Sequence, residues 1–163
     1  MQVAFIGHRK IEERGGLRQK ITDSVTALIE KKKADTFLFG SKSEFNDLCY
    51  EVVSELKDKY PHIRRIDVRA TNEHLPQMYI DITLKYYEET VFPESVSGAG
   101  YRSHIKRNQA MIDMCDILIT YFDKEYCQSV GRISGTRKAV EYALKKNKRI
   151  INLFQTVIKS TPQ

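Results

Sequence analysis

The chain has 163 residues, of which 41% are hydrophobic and 29% charged, and this composition is that of an ordinary globular protein. The length suits a single domain spanning residues 1–163, and no apolar run is long enough for a signal peptide or a membrane span. The net charge of +6 would suit nucleic acid if the basic residues formed one patch.

The first half of the chain is predicted to form three strands joined by two helices. Short apolar runs at Val3–Ile6 and Thr36–Phe39 each end at a glycine, and Ile63–Val68 alternates apolar and charged residues, which indicates an edge strand. Between the strands, apolar residues recur at helical spacing, one stripe to each helix. The first stripe contains Leu17, Ile21, Val25, Leu28 and Ile29, and the second contains Phe45, Leu48, Cys49, Val52, Val53 and Leu56.

An insert then interrupts this alternation. The segment Asn72–Gly100 is long, aromatic and irregular, and a loop of this length within a compact domain is usually functional or disordered. Its tyrosines Tyr79, Tyr86 and Tyr87 argue against disorder. We therefore expect a partly helical flap near the carboxyl ends of the strands. Its tyrosines either stack on the base of a ligand or anchor the flap as buried residues.

The second half returns to alternating helices and strands. A helix at Ile105–Met114 is expected to turn Met111 and Met114 inward, and the strand Ile117–Tyr121 is followed by a polar segment, Asp123–Ser134. The last two elements are a helix with an inward stripe and a closing strand. They are Thr136–Lys146, with Ala139, Val140, Ala143 and Leu144 inward, and Arg149–Leu153.

Continuous short apolar runs separated by helices are typical of parallel strands covered on both faces. The order of elements predicts a doubly wound, Rossmann-like α/β fold with a five-stranded parallel sheet. We expect the strand order 3-2-1-4-5, because the crossovers must reverse direction to create a switch point. Ligands bind such sheets beyond the carboxyl ends of the strands, which selects the loops after the first, second and fourth predicted strands.

The basic residues are spread along the sequence. The densest groups, Lys31–Lys33 and Lys145–Arg149, each close a predicted helix, where cations complement the negative end of the helix dipole. We therefore expect solvated helix ends, and nucleic acid is not the expected partner.

The cysteines indicate a reducing compartment. Cys49, Cys115 and Cys127 lie far apart without a CxxC pair, which argues against a disulfide framework and against a zinc site. We expect a cytoplasmic protein that uses no metal and no other cofactor.

The loop after the first strand is Gly7-His8-Arg9-Lys10. Gly7 allows a sharp turn of the backbone, and Arg9 can make a bidentate contact with a phosphate. His8 either contacts the ligand or makes a structural hydrogen bond, as a lone histidine often does.

The loop after the second strand is Gly40-Ser41-Lys42-Ser43. A glycine, two hydroxyls and a lysine at a strand-to-helix turn suit a phosphate or a ribose, although the spacing of a Walker A loop is absent. Ser43 is equally well explained as the N-cap of the following helix.

The last predicted helix opens with Ser134-Gly135-Thr136. Free N–H groups at the start of a helix, with the Thr136 hydroxyl as a further donor, can hold an anion, and an N-cap is the simpler alternative for Thr136. Because Gly7, Gly40 and Gly135 all follow strands at their carboxyl ends, we expect them to line one common cleft.

These motifs together resemble the SLOG superfamily of Rossmann-like nucleotide-binding proteins, and in particular its small bacterial members of YpsA-like type. The resemblance is carried by VAFIGHRK, FLFGSKSEF, RNQAMIDMCDILITYF and SGTRKAVEYALKKNKRIINL, in this order and spacing. It covers nearly the whole chain except the aromatic insert. It implies a nucleotide-binding domain.

The superfamily includes the Lonely Guy (LOG) phosphoribohydrolases, which cleave the N-glycosidic bond of nucleoside monophosphates. Arg107, Met111 and Asp116 keep the spacing of the LOG motif, so the resemblance implies that Arg107 is similar to its catalytic arginine. The second LOG motif, PGGxGTxxE, is kept only at Gly135 and Thr136. Its proline-glycine pair is missing, and Ala139 occupies the position of the glutamate, with Glu141 two residues further on. Glycosidic cleavage needs a carboxylate, which is therefore missing at the expected place.

Two functions follow from the resemblance. The first is a domain that binds a nucleotide or a nucleotide-derived small molecule, with Arg107 and Arg102 holding phosphate beside the loops named above. The second is an N-glycosidic hydrolase in which Glu44 or Asp47 replaces the missing glutamate. Arg107 lies two positions from Ile105, off the apolar stripe of its helix, so it faces either this cleft or solvent. The oligomeric state stays open, with a homodimer formed through helices as one arrangement to test.

Overall fold

Within residues 1–125 and 134–154, which this computed structural model describes, the apolar runs form six strands and the amphipathic segments form α-helices. In chain order the elements are β1 (Gln2–Gly7), α1 (Arg14–Lys32), β2 (Thr36–Phe39), α2 (Glu44–Lys59), β3 (Arg64–Val68), α3 (Gln77–Thr83), β4 (Glu89–Val91), α4 (Ser103–Met114), β5 (Ile117–Tyr121), α5 (Gly135–Lys145) and β6 (Arg149–Asn152). Two short 3₁₀ turns, Glu94–Val96 and Gly100–Arg102, lead into α4.

All six strands are parallel, and their order across the sheet is β4-β3-β2-β1-β5-β6. The predicted doubly wound class is confirmed, with β1 in the interior and a switch of direction between β1 and β5. The five predicted strands keep the predicted order 3-2-1-4-5, and only their number was wrong, because the insert adds a sixth strand at the edge. That strand, β4, pairs with β3 in the register Asp67↔Thr90, so β3 is not the edge strand that its alternating pattern indicated.

Alternate residues of the central strands pack into two separate cores, as the two-residue period of a strand requires. Phe5, Phe37 and Ile119 pack against the apolar stripes of α1 and α2. On the other face, Ala4 and Leu38 pack against residues of α4 and α5 such as Met111. Because both faces are covered, the polar ends of the strands are where side chains with chemical function can meet.

The helix stripes are largely as predicted, with two exceptions. Met114 and Leu144 were expected to face inward and are exposed, and each lies in the last turn of its helix. The basic clusters lie where the dipole argument put them, with Lys31 and Lys32 in the last turn of α1 and Lys145 in that of α5.

The insert is partly helical, as predicted, and partly strand. Helix α3 buries none of its residues, whereas Tyr87 packs against Phe39 and Tyr50 with ring centroids 6.2 and 5.0 Å away. Tyr79 and Tyr86 are exposed. Tyr87 is half-buried and anchors the insert, which is one of the two roles predicted for the tyrosines.

The structure describes two of the three cysteines and all the helices named above. Cys49 and Cys115 are free and buried, while Cys127 and most of the predicted polar segment lie outside the described residues. No helix of the described residues combines the length and the apolar content needed to cross a lipid bilayer.

Candidate functional site

A cleft opens at the carboxyl ends of β1, β2 and β3, and it consists of two adjoining chambers that share Gly40, Lys42 and Asp67. The larger chamber, about 520 Å³, is also lined by Arg9, Lys10, Ser41, Ser43, Glu44, Asn46, Asp47 and Tyr87. The smaller chamber, about 240 Å³, is also lined by Val68, Arg69, Ala70, Thr71, Asn72, Leu75, His104 and Arg107. The loops after three adjacent strands and helix α4 therefore meet at one place.

The start of α2 forms one wall of the larger chamber. Ser43 is its N-cap, and the Ser43 hydroxyl accepts a hydrogen bond from Asn46 N at 3.1 Å. The Asn46 side chain in turn accepts from Gly40 N at 3.3 Å, which fastens the loop after β2 onto the helix. The N-cap alternative for Ser43 is thus confirmed. The positive end of the α2 dipole still faces the chamber.

The loop after β1 is tied to the same helix through Glu44. The Glu44 carboxylate accepts from Lys10 Nζ at 2.7 Å and from Ile11 N at 3.1 Å, and its backbone N–H donates to Arg9 O at 3.0 Å. The hydrogen bond from Lys10, followed by that from Ile11, lowers the pKa of Glu44. These contacts hold the Arg9 backbone at the edge of the larger chamber and leave its side chain exposed.

Arg107 reaches the cleft from α4 and is only 4% exposed, so it is not a solvated helix arginine. Its Nη1 donates to Gly40 O, and its Nε donates to Asn108 Oδ1 at 2.9 Å. Burial lowers the pKa of Arg107 to about 10, while the nearby Asp67 carboxylate opposes this shift. Arg107 also lies one helical turn before the buried Met111, so the expectation that it lies off the apolar stripe was wrong.

Gly40 allows this close packing. A Cβ atom there would lie 2.3 Å from the carbonyl oxygen of Val68 and 3.0 Å from Arg107 Nη1. The loop after β2, the end of β3 and the Arg107 guanidinium therefore touch at a point where no larger side chain fits.

Asp67 is the carboxyl group common to both chambers, and no sequence motif predicted it. Burial raises its pKa, against the opposing effects of a hydrogen bond and two arginines. The hydrogen bond comes from Thr90 Oγ1, on the neighbouring β4, to Asp67 Oδ2 at 3.0 Å. Its position in the sequence could have identified it, because it is an acid near the carboxyl end of a strand that is otherwise basic and apolar.

Three basic side chains act together on His104, which lies on the wall of the smaller chamber. Burial lowers the pKa of His104, and the charges of Arg107, Lys42 and Arg9 lower it further. These three cations come from α4, the loop after β2 and the loop after β1. Their fields overlap at one place, which favours an anion there.

Other predicted site residues lie outside the walls of these chambers. Gly7 passes beneath the first turn of α2, since a Cβ there would be 2.3 Å from the Phe45 ring. His8 is buried, and its Nε2 accepts from Asp123 N at 2.7 Å, so it joins the ends of β1 and β5. Burial lowers the pKa of His8, which keeps the accepting nitrogen unprotonated. Arg102 is exposed, with its guanidinium 5.6 Å from the centre of the Tyr101 ring.

The start of α5 has the local structure that the sequence predicts but lines neither chamber. Ser134 is its N-cap and accepts from Arg137 N at 3.0 Å, while Gly135 is exposed and Thr136 is buried. The N-cap is therefore Ser134, not Thr136. The structure brings together Arg9, the loop 40–43 and Arg107, but does not bring Gly7, Arg102 or residues 134–136 to the chamber walls.

A doubly wound parallel sheet with a polar cleft at its strand ends defines a Rossmann-like α/β protein. Among solved structures, the chain is similar to DNA processing protein A (DprA) from Streptococcus pneumoniae, with a TM-score of 0.66 and 12% sequence identity over 97% of this chain and 52% of that chain. The chain thus spans about half the length of that protein, and at this identity the likeness shows the fold alone. No protein-family model and no curated protein matches the sequence.

Proposed function

We propose that the chain is a SLOG-type domain that binds a nucleotide or a nucleotide-derived small molecule in the two-chambered cleft. The observation that carries the proposal is the convergence of Arg9, Lys42 and Arg107 on the cleft, where their charges together lower the pKa of His104. The likeness in fold to DNA processing protein A is consistent with the SLOG resemblance.

The phosphate-binding part of the proposed site lies beside the start of α2. The positive end of the α2 dipole attracts anions, and Ser41, Lys42 and Ser43 line the chamber at this end. Arg9 is exposed at the rim, where its guanidinium is able to form a bidentate contact with a phosphate.

The remaining walls suit the uncharged parts of a nucleotide. Tyr87 presents an aromatic side chain to the larger chamber and is held in place by Phe39 and Tyr50. An anchored ring offers a stacking surface for a base at little cost in conformational entropy.

A thermal-shift panel of nucleoside mono-, di- and triphosphates, followed by calorimetry on each hit, tests the proposal. We expect at least one nucleotide to raise the melting temperature, because a ligand that binds the folded state stabilises it by mass action. The absence of a shift with every nucleotide at millimolar concentration would contradict the proposed function.

Hydrolysis of an N-glycosidic bond is the second candidate function, and Asp67 is the observation that favours it. Glu44, one of the carboxylates expected to replace the missing glutamate, is engaged by Lys10 and Ile11, and the pKa of Glu44 is lowered. Asp67 instead has a raised pKa and lies in the same cleft as Arg107. In this reaction water adds a hydroxyl to C1′ and a proton to the departing base.

Chromatography of each binding mixture separates the two candidates. Recovery of the intact nucleotide after long incubation supports a binding domain, and release of the free base together with ribose phosphate supports a hydrolase. Asp67→Asn is expected to abolish any release, while Asp58→Asn, at the opposite end of α2, is expected to leave it unchanged.

A further inference from the structure

The two chambers place cations on both sides of a single shared carboxyl group. Arg9 and Lys10 line the larger chamber, Arg69 and Arg107 line the smaller one, and Asp67 belongs to both. Asp67 therefore lies between two groups of basic residues, and a ligand that occupies both chambers would contact it.

Among the residues that the structure describes, one oxygen of this carboxyl group accepts a hydrogen bond. Thr90 Oγ1 donates to Asp67 Oδ2, and no residue in 1–125 or 134–154 donates a hydrogen bond to Oδ1. The other two acids of the cleft differ, since Glu44 is engaged by Lys10 and Ile11, and Asp47 is exposed at the rim. Asp67 is thus the acid whose position and free oxygen suit direct contact with a ligand.

The chemistry of a carboxylate limits which part of a nucleotide can face it. Phosphate oxygens are acceptors and carry the same sign of charge, so a phosphate adjacent to Asp67 would be repelled. A ribose hydroxyl is a donor, and the ribose is the part of a nucleotide that adjoins the phosphate. With the phosphate held by Lys42 and the start of α2, the ribose is the nearest group with protons to donate.

We infer that Asp67 accepts hydrogen bonds from the ribose hydroxyls of the ligand and thereby selects ribonucleotides over 2′-deoxyribonucleotides. This inference rests on the proposed nucleotide-binding function and holds whether or not the ligand is turned over. Burial of the carboxyl group supports it, because a desolvated acceptor gains more from a ligand donor than an exposed one. Thr90 acts as a positioning residue, since its hydroxyl orients the carboxyl group from β4.

Paired ribo- and deoxyribonucleotides test the inference by calorimetry. The probes are AMP, GMP and CMP with their 2′-deoxy counterparts, measured on the wild-type chain. We expect the tightest-binding ribonucleotide to bind about tenfold more tightly than its deoxy form, which is the effect of one hydrogen bond to a charged group.

Variants then identify the group responsible. In Asp67→Ala we expect the preference for ribose to disappear, with an affinity ratio of about one. Only the affinity for the ribonucleotide should fall. Asp67→Asn keeps an acceptor without the charge and should retain part of the preference. Thr90→Val should also retain part of it. Asp58→Ala, far from the cleft, should keep the full preference, and urea unfolding of each variant confirms that it folds.

The outcomes separate this inference from the proposed function. If no nucleotide binds the wild-type chain, the proposed function fails and the inference fails with it. If ribo- and deoxyribonucleotides bind equally well, the inference about Asp67 is wrong while the binding function stands. A tenfold preference that survives in Asp67→Ala also overturns the inference, because the hydroxyl would then be read by another residue.

Discussion

Helices α2 and α5 start in the same way and end up in different surroundings. Each is capped by a serine, and the hydroxyls of Ser43 and Ser134 accept from the backbone N–H three residues later, at 3.1 and 3.0 Å. The start of α2 forms a wall of the larger chamber, whereas Ser134 and Gly135 line neither chamber. In α5, Arg137 is paired with Glu141 of its own helix at 2.9 Å.

The difference lies in what distant parts of the chain bring to each helix start. Beside α2, the Arg107 guanidinium from α4 donates to Gly40 O, and Asp67 from β3 lines the same chamber as Ser43 and Glu44. A capped helix start is thus a local feature that many helices share. At α2, residues from distant parts of the chain add a cavity and charged side chains to this local feature.

The largest expected effect comes from exchanging the glycine beside each helix start for alanine. In Gly40→Ala the added Cβ meets the Val68 carbonyl oxygen at 2.3 Å, so we expect destabilisation by about 3 kcal/mol and loss of nucleotide binding. In Gly135→Ala no atom of residues 1–125 or 134–154 lies within 4 Å of the added Cβ, so stability should not fall and binding should stay unchanged. Urea unfolding and calorimetry measure both. Equal stability of the two variants would mean that the close packing at Gly40 relaxes freely.

A second prediction compares the arginines near the two helix starts. Arg107→Ala is expected to weaken nucleotide binding by about 1.5–3 kcal/mol, the range for hydrogen bonds to a charged group. Arg107→Lys should recover only part of this, because lysine lacks the planar fork of donors. Arg137→Ala removes an arginine beside α5 and should not change the affinity. Calorimetry with the best nucleotide decides, and unchanged binding by Arg107→Ala would mean that Arg107 does not contact the ligand.

A smaller effect is expected from pH, through His104. Its pKa is lowered by burial and by Arg107, Lys42 and Arg9, so an anion bound beside these cations should raise it again. By linkage, a ligand that raises the pKa binds the protonated form more tightly, so affinity should increase as the pH falls through this pKa. NMR titration of His104 with and without nucleotide measures the shift. His104→Gln should lack this part of the pH dependence, and a pKa that does not move would exclude an anion from the smaller chamber.

The smallest expected effect concerns the other side of β1, where His8 accepts from Asp123 N. Burial lowers the pKa of His8 in the folded chain, so the unfolded chain binds this proton more readily. The contribution to stability is therefore present above the ordinary histidine pKa of about 6.5 and is lost as the pH falls below it. Urea unfolding between pH 7.5 and 5.5 should show a smaller loss of stability in His8→Gln than in the wild-type chain. If the free energy of unfolding depends on pH equally in both chains, the role of His8 as a hydrogen-bond acceptor is wrong.

Local sequence patterns were sufficient for most of the fold and for part of the site. Continuous apolar runs such as Val3–Ile6 identify buried parallel strands without any knowledge of their neighbours. The strand β4 has only three residues and an ordinary composition, so its pairing with β3 depends on the tertiary fold. The loop after β2 was predicted as a site from its glycine, hydroxyls and lysine. Asp67 was missed because its importance comes from the two chambers beside it and not from its sequence neighbours.

The short strand β4 has a consequence for how copies of this chain behave in solution. An uncovered β3 would present a row of unpaired backbone groups, which is a template for pairing with a strand of another molecule. Strand β4 covers that row, and as a three-residue outer strand it offers little to pair with in turn. Its first residue, Glu89, is also paired with Arg64 at 2.7 Å, which adds charge along the margin. The insert that orients Asp67 through Thr90 also covers β3, so we expect it to lower the tendency of this edge to pair with a strand of another molecule.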